Sequence, residues 1–238
     1  MAISQYTARL SEKTQLNETY IFLRFELLSP DRIDFSAGQY LLLNTPTTPQ
    51  KRQYSIVSAP RLDHAIELLV EVIPNGQASG YLNSLAIGDE VTFYAPAGEF
   101  FIKPEVIQSD EPLVFIGTGS GLAPLRAMIL DLLRTKECKR PIRLYWGMRH
   151  AKDLFWLEAF EELKSNFPNF SYHITISQPE EEWTLCKGHV TNCLSLHGIP
   201  ENASYYICGS PHMIEDVMKV LTSLGVDAAH QHHEKFTV

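Results

Sequence analysis

Two sequence grammars follow one another along the chain, and together they predict an all-β N-terminal region followed by an α/β C-terminal region built on a parallel sheet. From residue 5 to about residue 102, short β-favouring runs are cut by turn residues. After residue 111, apolar strands alternate with helical patterns. A third observation locates the change: residues 103–111 form a polar stretch containing Pro104 and closed by Pro112. At 238 residues the chain has room for two modest domains.

In the first region the runs cover residues 20–27, 39–43, 66–73 and 90–94. Ser-Pro-Asp, Ser-Ala-Gly and Pro-Asn-Gly separate them, the spacing of a small antiparallel barrel or sandwich. Residues 52–58 read as another strand. One short helix is expected where Ser79 can cap a turn carrying Leu82 and Leu85, before Gly88-Asp89 turns the chain. In the second region, strands are expected at 113–116, 142–146, 172–176 and 205–208. Helices are expected over 122–134, with Leu125, Met128, Ile129, Leu132 and Leu133 inward, and over 153–163, with Leu154, Leu157 and Phe160 at helical spacing. Two more are expected over 190–196 and 213–224, the last ended by Gly225. Residues before Tyr20 read as surface or core without function. His230, His232 and His233 beside Glu234 match no ligand spacing and read as a solvated tail.

Composition narrows the function classes. Hydrophobic residues make up 45% and charged residues 20%, and 12 Phe, 10 Tyr and 3 Trp supply a core, so disorder and fibrous architecture are excluded. The formal net charge of −8, with no basic stripe, argues against nucleic acid as a partner. Cys138, Cys186, Cys193 and Cys208 form no C-x-x-C pair, so no disulfide framework, zinc site or iron-sulfur cluster is expected, and no metal residue is assigned. The N-terminus lacks the basic start and apolar core of a signal peptide, and no run is long enough to cross a bilayer. The expectation is a cytoplasmic protein without membrane insertion, and the pattern specifies no oligomeric state.

The sharpest motif is Gly117-Thr118-Gly119-Ser120-Gly121-Leu122-Ala123-Pro124, directly after an apolar strand and directly before a helix. Glycines there let the backbone approach a diphosphate, and the helix N-terminus offers N–H groups and a positive dipole end. The motif departs from G-x-G-x-x-G in its Pro124, and no acidic residue stands at the usual distance beyond it. The second motif is Arg52-Gln53-Tyr54-Ser55-Ile56-Val57-Ser58. On a strand, Arg52 and Tyr54 share one face and can offer a guanidinium to a phosphate and a ring to a flat heterocycle. By itself that alternation is more often the pattern of a solvated face than of a binding site.

In this order the two motifs resemble the ferredoxin-NADP reductase-like flavoprotein oxidoreductases. Further matching segments are Ala37-Gly38-Gln39-Tyr40, Pro96-Ala97-Gly98-Glu99-Phe100, Tyr145-Trp146-Gly147-Met148-Arg149, Asp153-Leu154-Phe155, Cys208-Gly209-Ser210-Pro211-His212-Met213 and Glu234-Lys235-Phe236. The resemblance implies an antiparallel six-stranded β-barrel that binds FAD over residues 1–106, and a parallel-sheet α/β domain that binds NAD(P)H over residues 107–238. It implies that Arg52 contacts the flavin phosphates, Tyr54 stacks on the isoalloxazine and Ser55 hydrogen-bonds near the hydride-accepting nitrogen. Val70 is implied to touch the flavin through its backbone, and Gly76, Ala78 and Ser79 to hold the FAD diphosphate. Gly117, Thr118, Gly119 and Pro124 are implied to bind the nicotinamide nucleotide, with Arg149 near its ribose or adenine end. Cys208 and Gly209 would place the nicotinamide, and Phe236 would lie near the flavin face. Ser55 and Cys208 are the implied catalytic positions. Without the family, Cys208 reads as a small buried hydrophobe, Arg149 as a surface cation and Phe236 as tail packing.

The implied activity is FAD-dependent NAD(P)H oxidation, with the two rings meeting in the cleft between the domains and electrons leaving to an external acceptor such as a ferredoxin or oxygenase component. An alternative is a flavin reductase that releases reduced free flavin. A more distant one is a non-catalytic electron-transfer subunit. Many members carry a basic residue before the diphosphate helix, where this chain has Glu71, so FAD is expected to be held less tightly. Glu180, Glu181 and Glu182, where NADPH-using members commonly place a Ser-Arg pair, favour NADH by repelling an added phosphate; the same loop also reads as a solvated turn.

Overall fold

A computed structural model describes residues 3–46, 48–200 and 202–236. The chain divides into two compact units, one formed by residues up to Phe101 together with Arg126–Lys136, the other by Ile102–Leu125 and residues from Glu137 onward.

The first unit is a curled antiparallel sheet of six strands: β1 (Ser4–Gln15), β2 (Tyr20–Ser29), β3 (Tyr40–Thr45), β4 (Thr48–Ser55), β5 (Ala65–Glu71) and β6 (Glu90–Ala97), in the order β4-β3-β6-β1-β2-β5. A bridge from Ile56 to Leu68 and a Val57 N–H bond to Glu67 O (2.9 Å) join its two outer strands, so the sheet curls into the expected barrel. Period-two burial makes each strand: Ile21, Leu23, Phe25 and Leu27 of β2 turn into the core. Strand β1 lies wholly before residue 20, where the apolar runs suggest no strand. It places only Tyr6, Ala8 and Leu10 inside, with polar residues between them.

Two of the matching segments serve this barrel. Gly38, at φ +105°, has no room for a Cβ against the Phe100 carbonyl oxygen, and a Cβ on Gly98 would stand 2.6 Å from the Tyr40 ring. Gln39 bolts the same corner by donating to Gly98 O at 2.9 Å and accepting from Ser36 N–H at 2.8 Å. The short helix α1 (Gln77–Ser84) begins earlier than expected, with Gly76 at its cap position. Ser79 lies inside the first turn, where its Oγ accepts from Ile73 N–H at 3.1 Å and ties the helix to the end of β5.

The second unit is a parallel sheet of β7 (Leu113–Thr118), β8 (Ile142–Met148), β9 (Phe170–Ile176), β10 (Cys186–Lys187), β11 (Ser204–Gly209) and β12 (Gln231–Lys235), ordered β10-β9-β8-β7-β11-β12. After α2 (Pro104–Gln108), the helices of this region are α3 (Leu122–Leu130), α4 (Leu157–Asn166), α5 (Val190–His197) and α6 (Pro211–Ser223). Val114, Ile116, Tyr205, Ile207, Ile214, Val217 and Leu221 form one buried core between the sheet and its helices.

Three sequence expectations change here. The helix expected over 122–134 passes at Asp131–Thr135 into a π-helical turn. The helix expected from residue 153 starts at Leu157, because Ala151–Asp153 make a 3-10 turn and Trp156 takes a left-handed φ of +59° before it. The supposed solvated tail is the edge strand β12, with Gln231 buried and the His232 ring stacked on Tyr206 at 4.7 Å. Among the described residues no helix is long and apolar enough to cross a membrane.

Candidate functional sites of the two units

In the first unit, β4 carries Arg52 exposed, Tyr54 half-buried against the barrel core and Ser55 buried. The Arg52 guanidinium donates to Gln50 Oε1 at 3.1 Å, a neighbour on its own strand, and so stays in solvent. Burial pushes the Tyr54 phenol up to about 12, against the opposing pull of Arg52, so the ring is neutral at physiological pH. The antiparallel bridge of Ile56 to Leu68 sets direction: going back along β4 to Tyr54 and Arg52 corresponds to going forward along β5 through Val70 toward α1. Val70 is fully buried and pairs with Ile21 of β2. At the start of α1, Ala78 and Ser79 are buried, and a Cβ on Gly76 would stand 2.6 Å from Ser79 Oγ. The first N–H groups of a helix have no intrahelical partner. A cation, an aromatic face and a glycine-headed helix terminus thus lie along one rim, a set that fits a diphosphate joined to a flat ring.

In the second unit the strand order reverses between β7 and β11, and the carboxyl ends of strands flanking such a reversal form a crevice for ligands. Gly117 and Thr118 end β7, while Cys208 and Gly209 end β11 beside them, with Cys208 in direct register with Gly117. Here the backbones come unusually close. A Cβ on Gly121 would lie 2.6 Å from the Cys208 carbonyl carbon and nearer still to its oxygen, and one on Gly209 would lie 2.6 Å from Thr118 Oγ1. Gly119 takes a left-handed φ of +54° that lets the chain turn from β7 into α3. Pro124 is buried in the first turn of α3, where its missing N–H costs no helical bond. Phe236, half-buried, donates its backbone N–H to Gly209 O at 2.9 Å, which brings the chain end to the same crevice. Ser210 caps α6 there by accepting from Met213 N–H at 3.3 Å.

Arg149 is not part of that cluster. It is exposed beyond β8, where Gln178 N–H donates to its carbonyl at 2.8 Å and holds the loop of Glu180, Glu181 and Glu182 beside it. The three carboxylates are exposed. This glycine-lined crevice with a helix N-terminus fits a dinucleotide.

Sequence reasoning passed over two residues of this crevice. Gly121 is more tightly enclosed than Gly117, a fact that depends on Cys208, far away in sequence. Glu234 of β12 pairs in register with Cys208. Its Oε2 is buried without a hydrogen-bond partner among the described residues, and burial pushes the carboxyl from 4.5 up to about 7. Burial first, and the Glu234 charge second, hold the Cys208 thiol well above its ordinary range.

A carboxyl whose pKa folding raises is neutral in both states at low pH. It costs stability as pH climbs from 4.5 to about 7, and the full cost persists above that. Glu234→Gln is therefore expected to flatten the fall in stability between pH 5 and 8 and to leave the variant more stable at pH 8 by about 2 kcal/mol, a figure reduced for partial exposure. Urea denaturation across this range checks it; an unchanged pH slope would rule Glu234 out as the group responsible.

The family models carry the comparison. The model described as oxidoreductase FAD-binding domain matches residues 7–102, and the one described as oxidoreductase NAD-binding domain matches residues 115–219. One component of the Na(+)-translocating NADH-quinone reductase of Neisseria gonorrhoeae is 38% identical, over 75% of this chain and 47% of that protein. Its counterpart in Pseudomonas aeruginosa is 36% identical, over 74% and 46%. The chain spans about half the length of the curated relatives it matches. A cytochrome P450 reductase of Amycolatopsis superposes with a TM-score of 0.90 at 29% identity, covering 99% of this chain and 71% of that one. The flavohaem-like FAD/NAD binding domain of nitric oxide dioxygenase from Vibrio cholerae shares the fold, with a TM-score of 0.84 at 24% identity, over 97% of this chain and 98% of that one. With these two domains in this order, each holding a site that fits its cofactor, the chain belongs to the ferredoxin-NADP reductase-like family of FAD/NAD(P)H oxidoreductases.

Proposed function

We propose that the protein takes electrons from NADH through FAD to an external acceptor. The observation that carries this reading is the juxtaposition of Gly117-Thr118 with Cys208-Gly209 where the parallel sheet reverses order, directly beneath the glycine turn into α3. FAD, when bound, accepts a hydride on its central ring and can return electrons singly or as a pair, so the protein's task is binding, orientation and electrostatics.

In this reading Arg52 meets the flavin phosphates with its exposed guanidinium, and the neutral Tyr54 ring offers a stacking face. Ser55 supplies a hydroxyl beside the reacting ring, and Val70 a backbone edge. Gly76, Ala78 and Ser79 present the α1 N-terminus to the diphosphate. For the nicotinamide nucleotide, Gly117, Thr118 and Gly119 give the diphosphate close backbone approach, with Pro124 fixing the first turn of α3. Cys208 and Gly209 position the nicotinamide, and Phe236 covers that end of the crevice. Arg149 faces the adenine-ribose end together with the acidic loop. NADH is the donor, because Glu180, Glu181 and Glu182 oppose a further phosphate on the ribose.

The curated relatives are named as one component of a multi-subunit NADH-quinone reductase, which supports onward electron transfer rather than a closed reaction on one substrate. The free thiols support the reducing cytoplasm as the location. Glu71 favours a second reading, release of reduced free flavin, because a carboxylate on β5 offers the diphosphate repulsion where a cation would attract it.

Anaerobic mixing of the FAD-loaded chain with NADH tests the proposal. Bleaching of the oxidised flavin band is expected, with kcat/KM for NADH above that for NADPH by about tenfold, equivalent to about 1.4 kcal/mol of repulsion. A flavin that stays oxidised would sink the proposal, and a preference for NADPH would sink the donor assignment. FAD retained through gel filtration supports electron transfer; FAD lost, with turnover of added flavin, supports the second reading.

A further inference from the structure

Outside the nucleotide crevice, at the β10 edge of the same sheet, two buried thiols and an exposed imidazole converge. Cys186 lies on β10, and Cys193 and His197 lie on α5, one helical turn apart on the same face. Their three donor atoms lie within 4.8 Å of one another, and Cys186 Sγ stands 3.2 Å from His197 Nε2. The spacing is C-x6-C-x3-H, which no C-x-x-C rule detects; the absence of a zinc site expected from sequence rested on that rule. We propose that Cys186, Cys193 and His197 form a binding site for a thiophilic d10 cation of the zinc type.

The geometry is close to what such an ion demands. Zinc holds thiolate sulfur at about 2.3 Å and imidazole nitrogen at about 2.0 Å, so tetrahedral ligands stand about 3.5–3.8 Å apart. The donor atoms need to move by no more than about 1 Å to reach that arrangement. Their supports are already in place. The Cys186 carbonyl accepts from Trp183 Nε1 at 2.9 Å and lies 3.3 Å from Thr175 Oγ1, which fixes the short strand. The His197 ring stacks on His173 at 3.9 Å, and His173 in turn on Tyr145 at 4.9 Å. Tyr145 donates to Gly198 O at 3.0 Å and pins the end of α5. Such outer contacts orient ligands before the ion arrives.

Exposure of His197 gives the ion its entry path and leaves the fourth position to water. Binding forms two metal–sulfur bonds and one metal–nitrogen bond and releases two thiol protons; a divalent ion with two thiolates is neutral overall, and nothing is oxidised or reduced. Two strands of the sheet, β9 and β8, separate β10 from the crevice between β7 and β11, so the site takes no part in hydride transfer.

The FAD-loaded chain, kept reduced with a phosphine, is dialysed against chelator-buffered zinc, and bound metal is measured by atomic emission. One zinc per chain is expected, with an X-ray absorption edge that reports two sulfur neighbours. Cys186→Ser, Cys193→Ser and His197→Ala should each lower affinity by at least about tenfold, whereas Cys138→Ser should not. His197 is exposed, so its variant keeps the fold even where a buried serine does not; retained FAD and an unchanged circular dichroism spectrum confirm this. Zinc kept equally by the Cys186→Ser/Cys193→Ser double variant would place it on the His230 to His233 segment and overturn the proposal. A protein that takes up no zinc would overturn it too.

Discussion

Gly121→Ala is expected to lower the rate of flavin reduction by NADH by about a hundredfold. A Cβ at this position would stand 2.6 Å from the Cys208 carbonyl carbon and 2.9 Å from Gly209 N, both backbone atoms of the end of β11. No side chain can swing away to make room. Ordinary contact begins near 3.4 Å, so the β11 terminus must retreat by about 1 Å, which displaces the residues proposed to position the nicotinamide. Misplacement of reacting groups by about 1 Å costs about a hundredfold. Overpacking adds a stability loss of about 1–3 kcal/mol. Stopped-flow reduction and urea denaturation of one preparation separate the two effects. Gly80→Ala is the control, because no atom lies within 4 Å of a Cβ there. Reduction of Gly121→Ala at the parent rate would remove Cys208 and Gly209 from the nicotinamide site.

What the sequence disclosed here was local, and what it concealed was convergent. The glycine turn was legible because an apolar strand, a glycine string and a helix lie side by side in 113–130. The barrel was legible from strands such as β2, whose inward residues are all large and apolar. Strand β12 escaped because an edge strand of Gln-His-His-Glu-Lys has no apolar alternation: its place is set by pairing with Tyr205 through Gly209. Ser79 has the residue type of a cap, yet the close fit of Gly76 against Ile73 and Ser79 starts the helix three residues earlier. The enclosure of Gly121, the burial of Glu234 and the meeting of Cys186 with His197 all depend on partners remote in sequence, where spacing rules do not reach.

Arg126→Met is expected to destabilise the first unit by about 3 kcal/mol, the lower end of the cost of breaking a buried ion pair. Arg126 sits four residues after Leu122 and three before Ile129, on the apolar stripe of α3, where a cation is out of place unless something receives it. The receiver is the barrel. Its Nη1 donates to Val57 O at 3.1 Å and lies 4.0 Å from Glu67 Oε2. Val57 and Glu67 are the residues whose backbones join at 2.9 Å beside the bridge that closes the barrel. Burial lowers the guanidinium to about 10 and raises the Glu67 carboxyl, so each charge depends on the other to offset desolvation. Methionine fills the volume but leaves Glu67 to Arg24, 3.6 Å away, and Val57 O without its cation. The remaining Arg24 contact is why the loss falls at the low end. Adding Glu67→Gln should recover at least half of it, because removing both charges costs far less than stranding one. Urea denaturation of the parent, both single variants and the double variant forms the cycle. A loss below about 1 kcal/mol for Arg126→Met, or a double variant no better than the sum of the singles, would show that the pair is not coupled.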